Sequence, residues 1–306
     1  MSINLAAIKD LLLPGLMDAT GEYREIENNW QGVFETHQSN MQIERTVQMR
    51  YMSIARLKQE GGATSFDNNA GERFVYNMEP IEVGLGYAIT RKAIDDNLYA
   101  DAFRPTNLGL NKSFREFWEV EAAHIFNAAN VYNAALAGDG QALLSTAHPY
   151  DGGTWANTTT VPLGLNESSL LTGQKSIRKN FVDEAGLRVR ARARQLLVPI
   201  DLEDTAIRLT QADLRPGTAN NDPNAIPRMS GGNSISKGYK VMDYFTSALQ
   251  WFILTDIMGL IHLQRIAYEI DMFCDFITDN LLVKAYERGG FFFNDPRCVW
   301  GQIPTS

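Results

Sequence analysis

Ala142-Leu143-Leu144-Ser145-Thr146-Ala147-His148-Pro149, with Tyr150 and then Asp151-Gly152-Gly153-Thr154-Trp155-Ala156-Asn157 behind it, is the stretch on which the reading of this chain turns. Ser145, His148 and Asp151 fall close together and superficially offer a nucleophile, a base and an orienting carboxylate. Triad partners normally converge from distant parts of a fold. Here the Pro149 ring drives His148 toward an extended backbone, and Gly152-Gly153 supplies a turn. The Gly-x-Ser-x-Gly spacing of a nucleophile elbow is missing. A tight connection ordered by local Ser, Thr, Asp and Asn hydrogen bonds is the better reading, with a serine hydrolase using Ser145 and His148 as a minor alternative.

At 306 residues, 44% of them hydrophobic, the chain is long enough for one large domain or two and buries a substantial core. A net charge of −8 excludes the strongly basic balance of a protein that wraps nucleic acid through its phosphates, leaving room only for local basic patches. Cys274 and Cys298 lie far apart and outside any Cys-x-x-Cys or Cys/His ligand spacing, so two buried free thiols are expected instead of a disulfide framework or zinc site. Residues 1–20 lack the basic n-region and cleavage site of a signal peptide. The apolar window at residues 241–276 is interrupted by Asp243, Asp256, Arg265, Glu269 and Asp271. The expectation is a soluble protein, intracellular where it is made, with no membrane partner. No cofactor, metal or catalytic residue is assigned, and no phosphate-binding glycine loop occurs.

The first forty residues read as two amphipathic pieces, around Leu5, Ile8 and Leu12 and around Tyr23, Ile26, Trp30 and Phe34, broken at Pro14-Gly15. Neither supports its own core, so each needs another surface, on its own chain or on a neighbouring subunit. Residues 47–57 and 73–76 are strand-like and flank a glycine-rich tip at residues 60–72, which predicts a long β-hairpin. Its arms carry Arg45, Arg50, Arg56, Lys58, Glu72 and Arg73 with little to bury, so it gains stability by lying on something.

After Pro105, the spacing of Phe114, Trp118, Ala122, Ile125, Ala129, Tyr132 and Leu136 predicts a helix over residues 107–137, about 45 Å long, ended by Gly138 and Gly140. A second helix is predicted over residues 167–181 with Asn166 as N-cap. Residues 187–194 alternate strictly, which predicts a strand with Arg188, Arg190, Arg192 and Arg194 on one face. Without interleaved aromatics, a nucleic-acid stripe ranks below an intersubunit or solvent-facing salt-bridging strand. Residues 195–200 read as a buried strand and residues 201–207 as an acidic helix start. Residues 214–238 read as an exposed loop, and residues 251–255, 266–270, 281–287 and 297–301 as strands. Strands and helices mix without βαβ regularity, so the fold class is α+β.

In this order, the arm, the hairpin, the long helix, the Leu143-to-Pro149 loop, the Leu196-Leu197-Val198-Pro199 and Trp251-Phe252-Ile253-Leu254 strands, and the tail from Lys284-Ala285-Tyr286-Glu287-Arg288-Gly289-Gly290 through Asp295-Pro296-Arg297 resemble the major capsid proteins of tailed bacteriophages. The resemblance covers most of the chain and rests on order and spacing, since each motif is short. It implies a Hong-Kong-97-type fold with an N-terminal arm (1–40) and an extended β-hairpin loop (41–86). A peripheral domain carrying a long spine helix (87–140 and 266–306) and an axial domain (141–265) complete it. It further implies subunits that form hexamers and pentamers of an icosahedral head around double-stranded DNA, without sequence-specific binding, assembled in the bacterial host cytoplasm and residing in the virion. About forty residues ahead of the hairpin are too few for a built-in scaffolding segment, so a separate scaffolding protein is expected beside the portal and a decoration protein. The intersubunit candidates are Arg50, Arg56, Lys58, Glu72 and Arg73 on the hairpin, and Arg188, Arg190, Arg192 and Arg194. A nonviral nanocompartment shell of the same fold is the alternative from another class.

Overall fold

In a computed structural model, the structure describes residues 28–67, 71–95, 99–136, 138–214, 223–228 and 235–304. In chain order come β1 (Glu35–Gln38), β2 (Glu44–Arg50), β3 (Gly71–Met78), β4 (Ile81–Ile89), α1 (Arg91–Asp95) and α2 (Tyr99–Asn127). Next are β5 (His148–Tyr150), β6 (Gly153–Trp155), α3 (Glu167–Asn180), β7 (Ala193–Val198), α4 (Glu203–Thr210), α5 (Ala225–Arg228) and β8 (Tyr239–Val241). The chain closes with β9 (Trp251–Thr255), β10 (Leu260–Cys274), β11 (Leu281–Phe293) and β12 (Val299–Gln302). Two four-stranded sheets organise these elements, in the orders β1-β10-β11-β4 and β12-β9-β7-β8. Mixed α+β architecture was the expectation, and it holds.

The second sheet explains why its strands read as unbroken apolar runs: it has a core on each face. Successive side chains of a strand point to opposite sides. Leu196, Val198, Trp251, Ile253 and Trp300 therefore face one core, with Leu170, Ile177 and Phe181 around α3. Leu197, Phe252, Leu254 and Val299 face the other, which also holds Trp118 and Phe126 of α2 and Phe291 and Phe293 of β11. Helix α3 begins as predicted: Asn166 accepts from the Ser169 amide at 2.8 Å while the Ser169 hydroxyl accepts from the Asn166 amide at 2.9 Å. Gly173 in its middle lets the helix approach the sheet, because a Cβ there would stand 2.7 Å from Trp300.

The spine helix differs from its prediction at both ends. It starts at Tyr99, ahead of Pro105, and stops at Asn127. The proline removes a single intrahelical bond near the start of a 29-residue helix, which then packs Phe114, Trp118, Ala122 and Phe126 against the sheets. The helix stops ten residues early because its end is tied elsewhere. The Leu144 amide donates to the Ala129 carbonyl at 2.7 Å, and the Asn127 side chain binds the Tyr244 carbonyl and the Thr246 amide. Gly138 sits past this turn, under the Tyr76 ring.

Other expectations change in extent. The strand expected over residues 266–270 is the middle of the 15-residue β10, whose tip carries the exposed Phe273, Phe276 and Ile277. The expected strand at 297–301 opens as a 3-10 turn, Pro296–Cys298, and its strand part joins the second sheet through β9. The arginine stretch is extended, but ladder pairing starts only at Ala193. The expected exposed loop at residues 214–238 contains α5 with Ile226 fully buried. Cys298 is buried as expected, whereas Cys274 is half-buried. Of the second amphipathic piece, Trp30 and Phe34 lie within the described residues. They turn into β1, which runs parallel to β10, and both rings bury in the subunit's own core, 4.4 Å from His262 and 4.7 Å from Phe291 respectively. That part of the arm rests on its own chain. Leu5, Ile8, Leu12, Tyr23 and Ile26 lie outside the described residues.

Two buried ionisable groups line the seam between α2 and the first sheet. Glu287 accepts from the Trp118 indole at 2.6 Å, and burial raises its pKa from 4.5 to about 7. His262, packed among Trp30, Trp118 and Phe291, is lowered by burial from 6.5 to about 4. Glu287 thus contributes stability that is complete below about pH 4.5 and is lost as pH rises through 7. His262 contributes stability present above about pH 6.5 and lost as pH falls through 4. Between those values the two oppose. Glu287→Gln should therefore make the melting temperature of the free subunit fall more steeply than the parent's from pH 6.5 to 4.5; an unchanged slope would contradict the assignment. Gly173→Ala should lower stability by roughly 1–3 kcal/mol despite alanine's better helix propensity, measured by urea unfolding, because the methyl meets Trp300.

Candidate assembly surfaces

The loop that opened the sequence reading is held from within. Asn157 is its hub: its side-chain oxygen accepts from the Ser145 amide at 2.9 Å, and its nitrogen donates to the carbonyls of Leu143 (2.6 Å) and Pro296 (3.1 Å). Both ring nitrogens of His148 are engaged, Nδ1 with Asp139 at 2.7 Å and Nε2 with the Asn157 side chain at 3.2 Å, and the ring stacks on Trp155. The Ser145 hydroxyl bonds Gln141 at 3.1 Å, not His148. Asp151, the third member of the superficial triad, points to arginines instead. Gly153 closes the β5–β6 turn at φ +151°, a conformation that suits glycine.

Those arginines belong to the predicted hairpin. Its ladder runs from Glu44 opposite Met78 to Arg50 opposite Gly71, shorter than expected, since residues 51–57 carry no pairing. The ladder docks on the subunit's own body: Tyr76 and Met78 are buried, and Gln48 donates to the Asn294 carbonyl at 2.8 Å. At its far end Arg50 and Arg73 both pair with Asp151, Arg73 at 2.7 Å. Arg73 also lies 3.1 Å from the buried carboxylate of Glu184, whose other oxygen is 3.1 Å from Arg297. Arg297 in turn pairs with Asp295 at 2.8 Å and donates to the Val182 carbonyl at 3.0 Å. Burial pushes the Glu184 pKa up while the two guanidiniums pull it down. The chain of charges joins hairpin, loop and tail.

Beyond this anchor the hairpin loses contact with the body. Tyr51, Met52, Ile54, Leu57 and Phe66 are exposed, Leu57 completely and Phe66 at 90%. Between the two arms of the finger the Ser53 amide donates to Asp67 at 2.6 Å. Clustered apolar exposure of this kind marks an interaction site on a soluble protein.

Arg50 and Arg73, taken as intersubunit candidates, are brought together within their own subunit. Arg56 and Lys58 are exposed on the finger and Glu72 on the ladder, opposite Met49. Arg188, Arg190 and Arg192 are exposed and Arg194 half-buried, with Ala191 and Ala193 buried on the opposite side as the alternation required. Among the described residues none of these four makes an ion pair. Asp151, Glu184, Arg297 and Asn157 were missed, because Arg73 and Glu184 are 111 positions apart and Asn157 and Pro296 are 139 apart, and no local pattern joins them.

An α+β subunit that leaves an apolar finger unburied beyond its hairpin has the form of a protein that associates through that finger. The family model described as phage capsid protein matches residues 79–301, from just before β4 to β12. The chain belongs to that family and is a major capsid protein with the Hong-Kong-97-type fold. Among solved structures it is similar to the capsid of a native GTA particle, at 12% identity and TM-score 0.56 with 92% of each chain covered. It is also similar to the procapsid of bacteriophage JBD30, at 12% identity and TM-score 0.52, covering 99% of this chain and 77% of that one. A virus-like particle from Pyrococcus furiosus aligns at 8% identity and TM-score 0.51, over 94% of this chain and 96% of that one. No curated protein matches.

Replacing Glu184 by Ala leaves Arg73 with Asp151 and Arg297 with Asp295 but removes the carboxylate that joins them, and should cost about 1–3 kcal/mol in urea unfolding of the free subunit. A loss below about 1 kcal/mol would show that the network carries little.

Proposed function

We propose that this chain builds the icosahedral head of a tailed double-stranded-DNA phage, as hexamers and pentamers of identical subunits. The observation that carries the proposal is the finger: a lone subunit leaves Leu57 and Phe66 in water, and a lattice of copies supplies the surface that buries them. The role is structural and non-enzymatic, and Ser145 and His148 serve the loop. Residues 41–86 act as the extended loop, 87–140 with 266–306 as the peripheral domain, and 141–265 as the axial domain, with the strand Val299–Gln302 returning into the axial sheet. The acidic balance suits a wall that confines DNA without gripping its sequence. A separate scaffolding protein, a portal and a decoration protein complete the head, which assembles in the host cytoplasm and persists in the virion. The family match favours this reading over a nonviral nanocompartment.

Expression of the chain with its scaffolding protein, followed by electron microscopy, should give closed shells or capsomer rings; a solitary subunit at high concentration would refute the proposal. The double variant Leu57→Ser/Phe66→Ser should keep the free subunit's stability within about 0.5 kcal/mol yet abolish complete shells.

A further inference from the structure

The first sheet has a bare edge. Its order is β1-β10-β11-β4, so β4 pairs with β11 on one side and, among the described residues, with no strand on the other. The backbone groups of a strand point alternately to its two sides, so about half of the N–H and C=O groups of Ile81–Ile89 face away from β11. Among the described residues no backbone hydrogen bond joins them to another segment. Helix α2 covers the sheet's face, where Val83 and Tyr87 pack with Leu110 and Phe114. Leu85 stands between them on the same side, yet it is 48% exposed, and Ile81 is 43% exposed. The nine residues contain no lysine or proline, and Glu82 is their one charge. A long edge with so little to blunt it takes another strand.

The residues of β4 say which strand fits. Two identical sheets joined edge to edge about a two-fold axis perpendicular to them have antiparallel strands at the seam, and each residue keeps its own side of the sheet. Centred on Leu85, such a pairing uses the whole strand: Ile81 opposes Ile89 of the other copy, Glu82 opposes Ala88, Val83 opposes Tyr87, Gly84 opposes Gly86, and Leu85 opposes its own counterpart. Every large apolar side chain then meets another, and Glu82 meets a methyl group instead of a like charge. Moving the centre to Gly84 or Gly86 leaves the last or first two residues of each strand unpaired. Just beyond the ladder, the exposed Glu79 of each copy comes to the end where the other copy's Arg91 and Lys92 open α1, so opposite charges flank the pair at both ends. The finger arm at residues 51–57 also lacks ladder pairing, but whichever of its sides turned toward α2, Ser53 or Arg56 would oppose an apolar residue of β4.

We propose that β4 of one copy adds edge to edge to β4 of a second, antiparallel about a two-fold axis through Leu85, so that their four-stranded sheets become one continuous sheet. The proposal rests on the shell-building reading and deepens it by naming a contact made by the same patch on both copies, which links copies in pairs and not in rings. A strip about 30 Å long and about 10 Å deep on each copy buries roughly 600 Å² in total, below the roughly 1,000 Å² of a stable interface. The pair is therefore weak between free subunits and closes where a lattice already holds two copies side by side.

Cysteines placed along the seam test it on the full chain, in a Cys274→Ser background. Leu85→Cys sets two thiols directly opposite each other, with Cβ atoms about 4.5–5.5 Å apart, so oxidation of assembled shells with copper phenanthroline should turn most of the chain into a covalent dimer and nothing larger. Ile81→Cys and Ile89→Cys should each give less than about a tenth of that dimer alone and match it when combined in one chain, because the register opposes them. Shells that form without the Leu85→Cys dimer overturn the contact and leave the shell-building reading standing. So does a dimer made equally by Ile81→Cys alone, or a Leu85→Cys chain that cross-links only to an Ala55→Cys chain, which would give the edge to the finger. A parent chain that makes no shells removes the shell-building reading by itself. Oxidation of the free Leu85→Cys subunit at about 1 mM, where a weak pair is populated, then decides the contact: the dimer supports it and a monomer overturns it. As a second variant, Leu85→Lys opposes like charges at an exposed position and should cut shell yield about tenfold with the free subunit's melting curve in place. Shells at the parent's yield would overturn the pairing.

Discussion

Glu184 is a buried carboxylate between two guanidiniums, and the attitude of the finger depends on it. Arg73 comes from the hairpin, Arg297 from the tail, and Asp151 from the loop joins through Arg73 and Arg50. A buried charge of either sign is costly alone, so the three segments are held in the one arrangement that neutralises all of them. The benefit of such a network lies in orientation more than in stability: apolar side chains of the same volume would hold the pieces at least as tightly. What they would not do is fix the angle at which the finger leaves the body.

That angle matters because the body is otherwise complete. The second sheet is covered on both faces, and the first carries the spine helix on one, sealed by Trp118 against Glu287 and by Trp30 and Phe34 folding back from the arm. Among the described residues the most exposed large apolar side chains, Leu57, Phe66, Phe276 and Ile277, stand on the finger and at the tip of the β10–β11 hairpin. A rigid body with adhesive extremities is the form expected of a tile. Its contacts are set by where rigid elements point, and its copies meet through surfaces that have no partner in isolation.

Much of this was legible in the sequence wherever one element decided its own fate. Trp251–Thr255 is an unbroken apolar run and is a strand buried on both sides; Asn166 announced the start of α3 and caps it. The spine helix was visible from its apolar stripe, but its ends were not, because Asn127 stops it by binding a loop more than a hundred residues away. The glycines at 138 and 140 gave a misleading stop signal, since Gly138 makes room for the Tyr76 ring. The arginine alternation foretold which side chains face out, but not that pairing would begin only at Ala193.

The candidate surfaces were half readable for the same reason. Charge on the hairpin identified Arg50 and Arg73 as residues needing partners, yet those partners are Asp151 and Glu184 of the same chain, reached only through the tertiary fold. The loop around His148 was correctly read as ordered by its own polar side chains, although the hub, Asn157, lay at its edge. The most direct test of the whole account is hydrogen–deuterium exchange on the free subunit and on assembled shells. The account predicts that amides of residues 51–67 exchange at nearly open-chain rates in the free subunit and are strongly protected in the shell. Equal exchange in both states would mean that the finger is buried on no neighbour, and would contradict it.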